Sequence, residues 1–81
     1  MKPKLNKIDD VVLALLYLTS FTEGKDDLAL TRAWKGHDWE ALDRLHKKSL
    51  ISDPKKKAKS VVLSKEGQQR SEESFRRLFC E

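Results

Sequence analysis

The sequence predicts a mainly α-helical single domain, residues 1–81, that carries a small β-hairpin, an α+β fold. Three observations lead to it. Between Asp38 and Lys48, the residues Trp39, Leu42, Leu45 and His46 recur at spacings of three and four, with Glu40, Asp43, Arg44 and Lys47 on the opposite face, the pattern of a helix with one buried side. Ser49-Leu50-Ile51 then leads into the turn-forming pair Asp53-Pro54 and, through a lysine-rich tip, to the β-branched run Ser60-Val61-Val62-Leu63. Ser64 offers a hydroxyl to cap a last helix.

Taken in order, a first helix is expected over residues 7–19, capped by Asn6 and carrying Asp9 and Asp10 in its first turn, where acids suit the positive end of the helix dipole. Its middle, VVLALLYL, is apolar on almost every side, so it is either the central helix of the domain or partly buried against another subunit. Residues 20–25, SFTEGK, read as a surface loop with Phe21 turned back to the core. Residues 27–35 fit two elements equally: a short helix capped by Asp26 or Asp27 and ended by a left-handed Gly36, or a strand through Thr31, Arg32, Ala33 and Trp34 that pairs with the hairpin. The next helix spans 38–48, with Asp38 at its cap and Lys47 and Lys48 at its carbonyl end. A hairpin over 51–63 follows, and then a helix over 65–79 with Glu66 in its first turn and a buried stripe of Ser71, Phe75, Leu78 and Phe79. Glu72 with Arg76 and Glu73 with Arg77 form acid-to-base pairs four apart, each worth about 0.2–0.5 kcal/mol.

A chain of 81 residues lies near the size at which one core is marginal, so self-association would help it. The 38% of hydrophobic residues fall in periodic blocks, which argues against disorder for all but the ends, although 37% of the chain is charged. No apolar run reaches the about 18–20 residues of a membrane span, and the opening MKPKLNKIDD turns acidic where a signal peptide would be apolar, so a soluble cytoplasmic protein is expected. The single cysteine, Cys80, excludes an internal disulfide and a multi-cysteine metal site. Net charge is +4, but it is focused: Arg44 to Lys59 holds seven basic residues against one acid, +6, which leaves −2 for the remainder.

Helix, hairpin with a basic tip and capped helix, in that order, resemble the second half of a winged helix-turn-helix, including a leucine-isoleucine pair before the wing and Val-Leu-Ser-Lys-Glu-Gly entering the last helix. The runs LALLYL, RAWKGHDWEALDRLH, ISDP and KAKSVVLSKEG resemble, over nearly the whole chain, a small family of uncharacterised bacterial proteins. That resemblance implies the fold and an expectation of nucleic-acid binding. The helix that should precede the recognition helix is short or missing, and the segment Phe21 to Leu30 departs from the general pattern.

The lysine tip, Lys55, Lys56, Lys57 and Lys59, is the leading candidate site, because a wing that tracks a duplex backbone needs flexible point charges and no particular base contacts. The bland alternative is a hairpin protected by lysines from edge pairing. On the outward face of the 38–48 helix, Arg44, Lys47 and Lys48 join the candidate interface, with Arg44 the best base reader; Glu40 and Asp43 on that face weigh against base reading. The expected partner is double-stranded DNA. A homodimer is expected to form through the apolar first and last helices and an exposed tryptophan, with Leu13, Tyr17, Trp34, Phe75 and Phe79 as contact residues. Trp39, on the apolar stripe, is read as core, whereas Trp34 is balanced between core and a stacking or partner surface. Two histidines, His37 and His46, are too few for a metallohydrolase, and no nucleophile, phosphate-loop or cofactor motif is present, so no catalytic residue, metal, cofactor or small-molecule substrate is expected. A protein-interaction module with no nucleic-acid binding is the alternative.

Overall fold

Helix α1 (Leu5–Leu18) runs through the middle of the molecule, as its apolar girth requires: Val12, Leu13, Ala14 and Leu16 are buried, and α1 packs mainly against the last helix, then against the middle one. The computed structural model describes residues 1–81, the side chain of Leu28 excepted. After α1 come β1 (Phe21–Glu23), a single 3-10 turn (Asp26–Leu28), β2 (Leu30–Trp34), α2 (Trp39–Lys47), β3 (Ser60–Val62) and α3 (Lys65–Phe79). The strands form an antiparallel sheet in the order β1-β2-β3, with Thr22 opposite Thr31 and Ala33 opposite Val61. Val12, Leu13 and Leu16 of α1, Ala41, Leu42 and Leu45 of α2, Ala33 and Val61 of the sheet, and Leu50, Ile51 and Leu63 make one core.

The segment 27–35, open between helix and strand, thus holds the strand Leu30–Trp34 behind the end of a 3-10 turn, and Lys35 to Asp38 leave no room for a helix directly before α2. Gly36 has no left-handed backbone; that conformation falls instead to Gly24 (φ 99°) and Asp26 (φ 54°), in the connection between β1 and β2. Residues 21–23 are a strand and not a loop, and Phe21 points to solvent, 48% exposed. α1 begins earlier than expected, with Lys4 at its cap and no side-chain capping bond, so Asn6 and Asp9 lie inside the helix. The arm before the tip pairs with β3 through a lone bridge between Ile51 and Leu63 and through Ser52, whose N–H donates to the Val62 carbonyl at 2.8 Å while its Oγ accepts from the Val62 N–H at 2.9 Å.

The helix ends follow local chemistry closely. Asp38 Oδ2 accepts from the Ala41 N–H at 3.1 Å, and Ser64 Oγ from the Gly67 N–H at 3.0 Å, each satisfying a donor that the first turn leaves unpaired. α2 closes with paired bonds from Ser49 N–H to the His46 carbonyl (2.9 Å) and from Leu50 N–H to the Leu45 carbonyl (3.1 Å). These are the two bonds of a Schellman motif, with Ser49 at φ 61° where glycine is usual and Leu50 against Leu45 in the core. The Ser64 hydroxyl donates back to the Ser49 carbonyl at 2.8 Å, so the end of α2 and the start of α3 share one junction. Gly67 completes it: a Cβ there would lie 2.0 Å from the Leu50 carbonyl oxygen.

On α3 the buried residues are Gly67, Ser71 and Ser74, one face of small side chains that lets the helix lie close to α1. Phe75 is half-buried beside Tyr17, their ring centroids 5.2 Å apart, but Leu78 and Phe79 are exposed, which corrects the expected stripe. Of the two expected ion pairs, Arg76–Glu72 forms at 3.6 Å, whereas Arg77 reaches across to Asp10 of α1 at 2.9 Å.

Of the buried polar residues, Asp9, Ser71 and Ser74, only Asp9 carries a charge. Asp9, 2% exposed, accepts a fork of bonds from Arg44: Nε at 3.0 Å to both oxygens and Nη2 at 2.8 Å to Oδ1, with Lys48 Nζ 3.7 Å from Oδ2. A buried carboxylate without a cation is costly, and a bidentate guanidinium is the strongest available partner. The pair fastens α1 to α2. Asp9→Ala removes the carboxylate and leaves Arg44 partly buried without a partner; a loss of about 3 kcal/mol is expected, at the low end for buried pairs because a quarter of the Arg44 side chain stays in water. Urea unfolding of the two proteins measures it, and an unchanged midpoint would refute the role given to the pair.

Candidate nucleic-acid interface

The lysine tip starts from a buried proline. Pro54 packs into the core edge, the Asp53 carboxylate accepts from the Lys55 N–H at 2.9 Å, and residues 55–59 are all exposed. The tip is tied down from the side by Lys35, just after β2. Its ammonium donates to the carbonyls of Pro54 (2.7 Å) and Lys56 (2.5 Å), and its backbone N–H to the Lys59 carbonyl at 3.2 Å. A tip of like charges is thereby held in one shape by a cation that points at carbonyls and not at an acid. None of the ion pairs found among the described residues involves Lys55, Lys56, Lys57 or Lys59.

The α2 part of the expected interface fares differently. Arg44 is committed to Asp9, which raises its pKa above the ordinary guanidinium value, so it is not a free base reader. Lys48 is partly engaged by the same carboxylate. Lys47 is exposed but lies 3.2 Å from Asp43, one turn back. Hydrogen bonding to Lys47 holds the Asp43 carboxyl below its usual value, and the charges of Lys47 and Lys55 add to that effect.

Neither tryptophan is in the core. Trp34 is 54% and Trp39 58% exposed, so the assignment of Trp39 to the interior is wrong. Trp39 is the first residue of α2, where the chain has only just entered the helix, and its ring sits 5.9 Å from the Lys35 ammonium. The Trp34 indole lies on Gly36, where a Cβ would come within 2.3 Å of Nε1. The Trp39 ring therefore adjoins the lysine that holds the tip, while Trp34 stands opposite Ser60, the residue that follows the tip.

Of the residues expected to contact a second copy, Leu13 is buried in the chain's own core and is unavailable. Tyr17 and Phe75 pack on each other, with the Tyr17 hydroxyl donating to Glu72 at 3.4 Å, whereas Phe79, 5.7 Å from Phe75, remains exposed. His46 is a structural residue whose Nδ1 is 3.0 Å from the Ile51 carbonyl. Lys35 was missed by charge counting because it stands outside the basic run; its only sequence signal is its position between two tryptophans and a glycine.

His37, in the segment between β2 and α2, has its pKa lowered by burial, and its Nε2 has no hydrogen-bond partner among the described residues. The unfolded chain therefore takes up a proton at a higher pH than the folded one. Stability from this group is present above the unfolded value near 6.5 and is lost as pH falls through the folded value. Chemical denaturation at pH 7.5 and pH 5 should show a fall in stability for the natural sequence that is smaller in His37→Asn; equal falls would exclude His37 as the source.

Comparison with known proteins places this geometry in a family. A family model described as "Domain of unknown function (DUF6429)" matches residues 4–81. An uncharacterized protein, y4hR, of Sinorhizobium fredii is 57% identical over 74 residues, covering 91% of this chain and 90% of its own length. No solved structure matches. Among the described residues, no helix is long and apolar enough to cross a membrane. The chain belongs to the family of this domain of unknown function, DUF6429.

Proposed function

We propose that the chain is a nucleic-acid-binding module, not an enzyme, built as a reduced winged helix: α2 in the place of the recognition helix, residues 52–59 as the wing, and the β1–β2 hairpin where a helix-turn-helix would have its first helix. The observation that carries this reading is the tip itself. Four lysines stand exposed on a loop braced by Lys35 and are free of acidic partners among the described residues, the arrangement suited to lying along phosphates. Such a wing tracks a phosphate backbone, and duplex DNA is the first form to test. With Arg44 committed to Asp9, backbone contact dominates and sequence preference is small.

Replacing Lys55, Lys56, Lys57 and Lys59 together by glutamine tests it, since these side chains support no core. The natural sequence should bind a random duplex with a log–log salt slope of about −3.6, and the quadruple variant should bind weakly with a slope near zero. No binding by the natural sequence at about 50 mM salt would overturn the reading.

We also propose self-association, on a different surface. Val11 of α1 and Leu78 of α3 line one shallow cleft, with exposed Ile8 and Phe79 on the same two helices. This replaces Leu13 as the contact and needs no residue of the tip. Sedimentation equilibrium should give a dimer for the natural sequence and a monomer for Val11→Asp; a monomer for both at high micromolar concentration would remove the dimer.

A further inference from the structure

We infer that Trp34 and Trp39 form a stacking platform for unpaired bases, so that single-stranded nucleic acid is the preferred ligand of the lysine-tipped surface. This rests on the phosphate-binding reading and names the ligand more closely. These are the chain's two tryptophans, and each leaves more than half of its surface in water although the core has apolar faces to cover. The Trp34 indole lies over Gly36, where a Cβ would come within 2.3 Å of Nε1, and Trp39 stands on the capped first turn of α2 beside the Lys35 ammonium.

Lys35 links Trp39 to the tip, because the ammonium beside that ring bonds the carbonyls of Pro54 and Lys56. Trp34 also pairs in the sheet with Ser60, the residue after Lys59. Aromatic faces and free cations thus border one another at one end of the molecule. A single strand offers the matching chemistry, bases with open faces along a chain of phosphates. A blunt duplex offers the phosphates but hides the faces of its bases, so the tryptophans add nothing there. Asp38 and Glu40, exposed on either side of Trp39, set the limit: phosphates are expected along the tip and bases over the indoles, not the reverse.

The full-length chain is titrated with labelled oligothymidine of about 15 nucleotides and with a blunt duplex of the same length, reading anisotropy and intrinsic tryptophan emission. The single strand should bind at least about fivefold tighter than the duplex and quench the emission. Trp34→Ala with Trp39→Ala should cost about tenfold for the single strand and under about twofold for the duplex, while the paired phenylalanine variant, which keeps two stacking rings, recovers most of the loss. Lysine-dependent duplex binding without quenching, and with the single strand no tighter, would overturn this inference and leave the phosphate reading standing. Failure of both probes to bind would overturn the two together. A concentration-dependent blue shift of the emission without nucleic acid would assign the platform to a second copy of the chain and overturn the inference as well.

Discussion

The carboxylate of Asp9 must be neutralised where it lies, and that requirement shapes much of the molecule. It sits on the central helix, facing α2, in surroundings that would reject it alone. Arg44 answers it with a fork of hydrogen bonds and Lys48 adds a second cation. The result is a fixed angle between α1 and α2 and a division of labour among the basic residues. Those at α2 each lie near an acid of the same chain, Arg44 partly buried against Asp9 and Lys47 on the surface beside Asp43, while those after Pro54 have none among the described residues. A focused charge of +6 in the sequence therefore overstates the charge free to meet a partner on α2 and states it fairly at the tip.

How far the sequence discloses the fold depends on whether an element is declared by local chemistry or by its neighbours. Asp38 and Ser64 cap helices because a side-chain oxygen three residues before a free N–H suffices, and both helices start where those residues say. The last helix, Lys65–Phe79, lies where its pattern places it. β1 is three residues long, too short to show alternation, and is a strand only because β2 lies alongside. Residues 27–35 were open for the same reason. Asp9 and Asp10 look like ordinary first-turn acids until the distant Arg44 and Arg77 are brought to them.

The candidate site was half legible. The tip lysines are evident as a charge run, and their exposure follows from the turn at Asp53-Pro54. Trp39 lies on the apolar stripe of its helix, but it is the first residue, where the stripe has already passed the edge of the core. On α3 the periodicity is right and the depth is wrong: serine and glycine are buried because close approach of two backbones needs small side chains, a property that a hydrophobicity pattern does not record. Lys35 carries no signal of its role because carbonyl groups, unlike acids, leave no mark in the residue code.

The packing of α1 against α3 has a consequence for the order in which the chain can take shape. The two helices stand near opposite ends of the sequence, and β2 must wait for β3, which follows it by a helix and the whole wing. During synthesis the central helix therefore emerges before the elements that cover it, α2 and the sheet on one side and α3 on the other. Contacts that span so much of the chain favour slower, all-or-none closure over stepwise assembly, because the ends must be brought together before those contacts repay the cost.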